Sequence, residues 1–427
     1  MREETKKINV GLGFVTGRKN FRNVARAYLN NWNESERPDL KNYAFHLFVA
    51  YDLKFTNTKK SDYVITDEEI LGMVDSVYYL GKEAIANEAA ALAKQRVVSE
   101  KEAKLIFGEG YAMKRNAVLY FALKNQMDYL IFLDDDEYPV ANIRVGDILV
   151  WKGQEVLETH IRNLPDADMT HGRHCGYISP IPNIAFNDVL KEEDFRMFIE
   201  AVSNDIVNWD SVKAKIKDGG ITYAALTLNN HGKAEAVKEV NGMKFISGAN
   251  LGFNLKSIDK IFPFYNPPGA RGEDTFLSTC IGECHVSKVP CYTFHDGFAA
   301  YKSMLMGVLP NHLKEVDAGT GVISKRFLKA AVGWTRYKPL LLYITRRDDY
   351  EELIRNMKAD LETVIPKFEA YFPNDDFGVI LKELQYYSGH VEKHFLDFEN
   401  TKKAWVKIIS ALKKKNGEAD LGKRVGM

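Results

Sequence analysis

The chain is poor in cysteine, with four in 427 residues, and it has no net charge, since 58 basic residues balance 58 acidic ones. So few thiols, at Cys175, Cys280, Cys284 and Cys291, argue against a disulfide scaffold and for a reducing compartment. A neutral balance exerts no general pull on a polyanion, so nucleic acid is not an expected partner. No apolar run reaches the ~18 residues that a membrane span needs. The charged, polar stretch Met1–Val10 does not resemble a secretory leader. Internal repeats and low-complexity tracts are missing too. These absences predict a soluble, cytoplasmic protein, and the length allows about two or three domains.

What the chain does contain is an acidic cluster at Tyr129–Pro139, reading YLIFLDDDEYP. Five apolar residues suited to a buried strand run into Asp134, Asp135, Asp136 and Glu137, and Pro139 stops any continuation. Acids are thereby set at a strand's carboxyl end, where open α/β sheets bind ligands. Adjacent acids repel one another, and a cation would neutralise them; hard oxygen ligands favour Mg²⁺ or Mn²⁺. A solvated acidic turn is the competing reading.

The surrounding pattern alternates. Strands are predicted at Ile8–Thr16 and Ala44–Tyr51, and helices at Asn20–Trp32 and Glu83–Val97. An amphipathic helix at Tyr111–Lys124 feeds the acidic strand. This is the grammar of a parallel sheet with crossover helices. Further strands are expected at Asp168–Tyr177, at Met243–Asn254 with a glycine kink, and at Val289–Phe294 before His295 and Asp296. A helix opens at Asp274–Ile281, and from Val322 onward only helices are expected, with a boundary in Tyr301–Gly321.

Three stretches taken in order resemble GT-A fold glycosyltransferases, family 2 in particular. Gly110–Asp136 (GYAMKRNAVLYFALKNQMDYLIFLDDD) is similar to the block in which an Arg-Asn helix precedes a strand ending in an Asp-x-Asp motif. Phe245–Phe253 (FISGANLGF) resembles the acceptor-side strand, and Gly272–Leu277 (GEDTFL) the Glu-Asp motif opening a helix. The resemblance covers Ile8–Asp296 and implies an α/β, Rossmann-like GT-A domain over residues 1–310. Residues 185–240 form an acceptor-side insertion, and a mainly helical domain occupies 311–427. The implied activity is metal-dependent transfer of a sugar, of hexosyltransferase type, from a UDP- or GDP-linked donor to a saccharide or other hydroxyl acceptor. Inversion by direct displacement is expected, with retention as the alternative.

The resemblance also assigns residues. Asp136 would ligate Mn²⁺ or Mg²⁺, Asp134 would share the metal or touch ribose, and Asp135 would contact the donor. His295 would be a further metal ligand, or a structural histidine. Thr16, Arg18 and Asp52, at the first two strand ends, and Arg115 would line the nucleotide pocket. The VTGRKN and YDLKFT runs at those strand ends depart from the family pattern, which leaves the base open between uridine and guanosine. Asp274 would take the acceptor proton, with Glu273 as alternate. Helix-start placement keeps such an acid ionised, although helix capping uses the same residues. Tyr265–Gly272 reads as a glycine-hinged lid.

Other patterns carry less. Gly11, Gly13 and Gly17 lack the spacing of a dinucleotide fingerprint. Cys280, Cys284, His285 and Cys291 are read as buried thiols rather than a zinc site. His171, Arg173 and His174 line an acceptor site or alternate outward to solvent. The Gln-x-x-Arg-Trp motif of processive synthases is absent, so single transfer is expected. Trp405, Ile408, Ile409 and Leu412, flanked by lysines, form a basic amphipathic helix that docks on the protein or makes peripheral membrane contact. A sugar-phosphate nucleotidyltransferase is the rival enzyme class, and a non-catalytic carbohydrate-binding protein the rival outside enzymes.

Overall fold

The computed structural model describes residues 7–34, 42–178, 180–203, 209–226, 232–319 and 321–425, with side chains to 415. Its first half alternates as the pattern predicts: β1 (Ile8–Thr16), α1 (Phe21–Asn33), β2 (Tyr43–Tyr51), α2 (Glu68–Met73), β3 (Ser76–Leu80), α3 (Lys82–Lys94), α4 (Glu100–Phe107), α5 (Tyr111–Lys124) and β4 (Tyr129–Leu133). Next come β5 (Glu137–Tyr138), the hairpin β6 (Val140–Val145) and β7 (Ile148–Gly153), then α6 (Val156–Asn163) and β8 (Met169–Gly176). After α7 (Glu192–Val202) and α8 (Trp209–Lys217) lie the short strands β9 (Glu235–Ala236), β10 (Glu239–Val240) and β11 (Met243–Lys244). The α/β unit closes with β12 (Leu251–Asn254), α9 (Glu273–Ser278) and β13 (Val286–His295). Four long elements follow: α10 (Gly321–Thr345), α11 (Tyr350–Tyr371), α12 (Val379–Gly389) and α13 (Val391–Val425).

One mixed sheet runs in the order β3-β2-β1-β4-β12-β8-β13-β5, with β9 beside β13. β3, β2, β1 and β4 are parallel, and β12 is antiparallel to both β4 and β8. The chain leaves β1 to one side for β2 and returns on the other side as β4, so their carboxyl ends border a topological switch point. Register sets what meets there. Phe14 lies opposite Leu133 and Thr16 opposite Tyr51, so the ends of β1, β2 and β4 are level. Because β12 runs against β4, with Leu251 opposite Phe132, the residues before β12 arrive at that same end.

Apolar side chains cover both faces of the sheet. One core joins Val10, Leu12 and Phe14 to α1 and α6. The other joins Phe48 and Phe132 to α4, α5 and the Trp405–Ile409 stretch of α13. Helix α5 is not amphipathic as expected: Arg115, Asn116 and most of its apolar residues are buried, because α4 and the 255–264 segment cover the side that the sheet does not. Gly13 is the packing glycine of β1, since a Cβ there would come within 2.7 Å of Val118 on α5. The predicted kinked strand is interrupted, with only Met243–Lys244 and Leu251–Asn254 pairing, and Asn250 has a φ of 51°.

Within the 185–240 stretch, β9 pairs with β13, whereas α7 and α8 pack on the C-terminal helices. Phe195, Phe198 and Trp209 share a core with Phe327, Leu361, Phe368 and Phe377 of the C-terminal helical region. The basic helix also docks on the protein itself. Trp405 is 1% exposed and donates from Nε1 to Ile261 O at 3.1 Å, while Lys407 pairs with Glu102. Its apolar face is therefore covered, which corrects the expectation of membrane contact through it. Among the described residues, no helix is long and apolar enough to cross a membrane.

Candidate functional site

The acids of β4 meet β1 across the switch point. Asp135, level with Thr16 by register, accepts a hydrogen bond from Thr16 Oγ1. Arg18 Nη1 pairs with Asp135 and lies 2.9 Å from Asp136 Oδ2. Burial would raise Asp136, yet His295 and Arg18 hold its carboxyl well below the usual carboxylate range. Burial likewise opposes the charge on His295, but the facing Asp136 carboxylate outweighs it and pushes the imidazole up to about 9. Its Nδ1 lies 2.7 Å from Tyr177 O, which directs Nε2 toward Asp136 Oδ2 at 3.6 Å.

Asp134 turns the other way. Its Oδ1 accepts from Tyr111 Oη at 3.0 Å and from Arg115 Nη2 at 3.2 Å. Burial and the neighbouring acids nonetheless lift it to about 7. Glu137 is withdrawn from the cleft: Thr293 Oγ1 donates to it at 2.6 Å, and His174 Nδ1 is 3.1 Å away. Asp52 caps the next strand end and pairs with Lys114 at 2.8 Å. Thr16, Arg18, Asp52, Arg115 and the three aspartates thus gather at one edge of the sheet, and His295 joins them from β13 because β5 pairs His295 with Glu137.

The Glu-Asp pair opens α9, where Gly272 adopts φ 87°, a left-handed conformation that suits glycine. Asp274 Oδ2 accepts from Gly248 N at 3.1 Å and Oδ1 from Thr275 N at 2.8 Å. Glu273 faces inward, 3.4 Å from Arg115 Nε, with its carboxyl raised by burial and then by Asp274. Asp274 lines a cavity of about 320 Å³ with Phe245, Arg271, Trp334 and Tyr337. From the 185–240 stretch Ile199, Ser203 and Lys215 reach this cavity as well.

Several expectations need correction. The Tyr265–Gly272 loop is not free to act as a lid: Tyr265 Oη donates to His394 O at 3.0 Å, Arg336 Nη1 to Gly269 O at 2.8 Å, and Tyr387 Oη to Pro268 O. His171 and His174 do not alternate out to solvent. His171 is 3% exposed and stacks edge-on to Phe245, while His174 holds Glu137. The cysteines, by contrast, are free thiols as the sequence reading has them, with Cys175, Cys284 and Cys291 buried; among the described residues no three His, Cys, Asp or Glu side chains converge as a metal-binding group.

Arg326 of α10 escaped the sequence reading. Its Nη2 comes within 3.0 Å of the point where a Cβ on Gly297 would sit, and His295 Cε1 lies 2.9 Å from that same point. Burial, then nearby Arg18 and Arg271, lowers its affinity for its proton, against the pull of Asp136. Nothing local marks Arg326 in the sequence, because it lies in the helical region beyond the recognised motifs.

No protein-family model matches the chain, and no curated protein matches it. Among solved structures, it is similar to apo mouse xyloside xylosyltransferase 1, with 11% identity and a TM-score of 0.23. That likeness covers 45% of this chain and 58% of the other. At such values it settles neither fold nor activity.

Proposed function

We propose that the protein is a metal-dependent glycosyltransferase built on a GT-A type domain, moving a single hexosyl unit from a nucleotide-diphosphate sugar to a hydroxyl acceptor with inversion. The observation that carries this reading is the convergence of Thr16, Arg18, Asp134, Asp135 and Asp136 at a switch point, beside a cavity lined by the Asp274 carboxylate. Such a crevice suits a nucleotide, and a carboxylate at an adjoining cavity suits deprotonation of an acceptor hydroxyl.

The Asp136–His295 pair fits a divalent cation. The separation of 3.6 Å falls within the ~4.2 Å that two metal–ligand bonds can span, and Nδ1 is anchored on a carbonyl as metal-bound imidazoles require. Mg²⁺ or Mn²⁺ would be held by Asp136 and His295, while Asp134 faces Tyr111 and Arg115, leaving positions for phosphate oxygens and water. Bound there, the cation would neutralise charge on the leaving diphosphate. Arg18 and Arg326 supply fixed positive charge to the same oxygens. Lys114 and Asp52 border the base end of the crevice. Asp274 accepts the acceptor's proton as its oxygen attacks the anomeric carbon, and Glu273 keeps Arg115 in place.

The test is donor breakdown. Purified protein with Mn²⁺ and a panel of UDP- and GDP-sugars should release free nucleotide diphosphate, slowly to water and faster to an acceptor. Absence of turnover with every donor would contradict the reading.

A further inference from the structure

The cavity beside Asp274 is walled by three separate parts of the chain. The α9 start contributes Asp274 and Arg271, the 185–240 stretch contributes Lys215, and α10 contributes Trp334 and Tyr337. Its volume of about 320 Å³ lies at the small end of ligand pockets, which suits one sugar-sized ring rather than a polymer chain. Aromatic walls at Phe245, Trp334 and Tyr337 offer flat apolar faces to the C–H face of such a ring.

The charge lining this space is unbalanced. Among the described residues, Lys215, Arg271 and Asp274 are its ionic ones, and Asp274 is already engaged by two backbone N–H groups. Among the described residues, neither Lys215 nor Arg271 has a carboxylate within ion-pair distance, whereas Lys213 pairs with Glu192 and Arg144 with Asp218. Burial depresses the Lys215 ammonium, with no carboxylate among the described residues opposing the effect. Two cations lining one cavity are stabilised by an anion entering it.

We propose that this cavity is the acceptor site, and that it takes a compound of about one hexose in size carrying both hydroxyls and an anionic group, a carboxylate or a phosphate. The inference rests on the glycosyltransferase reading. Lys215 and Arg271 bind the anionic group, the ring lies against Trp334 and Tyr337, and one hydroxyl reaches Asp274. In the transfer, the hydroxyl proton passes to the Asp274 carboxylate and a new bond forms from that oxygen to the sugar's anomeric carbon. The bond from that carbon to the diphosphate breaks, and its electron pair leaves with the diphosphate.

The experiment is calorimetric titration of glucose, glucuronate, glucose 6-phosphate and inorganic phosphate into wild type, Lys215→Met, Arg271→Gln and Asp136→Ala. Each variant is first checked for an unchanged melting temperature. In the wild type, at least one charged sugar should bind tenfold or more tighter than glucose, and tighter than phosphate alone. Lys215→Met and Arg271→Gln should each remove most of that preference, and Asp136→Ala should keep it. The better of the two charged sugars identifies the group. Equal affinity for charged and neutral sugars would overturn the proposal, as would a preference that survives both cavity variants or one abolished by Asp136→Ala. If charged sugars bind as expected while neither UDP nor GDP binds with Mn²⁺, the cavity stands as a binding site and the transfer reading fails.

Discussion

His295, at the end of β13, and Asp136, in the turn between β4 and β5, are 159 residues apart and face each other at 3.6 Å, Nε2 to Oδ2, with the imidazole steered by Tyr177 O. In the absence of a cation, burial resists the charges on both groups and their mutual attraction preserves them. A shared cation would displace the imidazolium proton and balance the Asp136 carboxylate in its place. His295→Ala is therefore expected to lower the apparent Mn²⁺ affinity, measured at saturating UDP or GDP, by tenfold or more. An unchanged metal titration would remove His295 from the metal site.

Asp274 and Glu273 are neighbours with different surroundings, and the difference predicts different phenotypes. Asp274→Asn should lower kcat by about 10²–10⁴-fold while nucleotide binding stays intact, because the carboxylate lines the cavity and not the nucleotide crevice. Glu273→Gln should act mainly on stability, since it weakens the partner of buried Arg115. Steady-state kinetics and thermal melting on the two variants separate these outcomes.

Acid stability should depend on two buried histidines. Burial holds His160 down at about 4 and His171 at about 3, and His160 contacts Thr170 and Asn250 at 2.7 Å each. The unfolded chain takes up protons near pH 6.5, where the folded chain does not, so stability is fully present above that pH and is lost on acidification. The loss runs from about pH 6.5 to about 4 for His160 and on to about 3 for His171. It is on the order of 3 kcal/mol for His160 and about 5 kcal/mol for His171. Urea unfolding of His160→Asn and wild type at pH 7 and pH 5 checks this: the variant should lose less on acidification.

The buried indole at Trp405 makes α13 part of the fold. Trp405→Ala should cost about 3–5 kcal/mol in chemical unfolding. Wild type should not float with anionic vesicles, because the apolar face of the helix is occupied by the protein. Flotation that depends on Trp405 would contradict the docked arrangement.

The strands and helices around the acidic cluster were legible because their burial is local in sequence. The β1, β2 and α5 bounds follow from uninterrupted apolar runs and a glycine break at Gly110. The pattern missed β3, whose SVYYL residues sit at an edge and are mostly half-buried. It missed the β6–β7 hairpin for a similar reason, since most of β7 faces solvent. At the site, acids and strand-end residues were readable from position, whereas Arg326, Lys215 and Trp334 were not. Those three reach the site only through packing of α8 and α10, a tertiary event without a local signature. The lid expectation failed because the glycines that suggest a hinge also permit tight turns, here bonded to helices.

The most direct test of the central claim is calorimetric titration of UDP and of GDP into wild type and Asp136→Ala, with and without Mn²⁺. The account predicts that one nucleotide binds wild type only when Mn²⁺ is present, and that Asp136→Ala abolishes this binding while still unfolding in a single cooperative thermal transition. Failure of both nucleotides to bind wild type under any condition, or equal Mn²⁺-dependent binding by the variant, would contradict it.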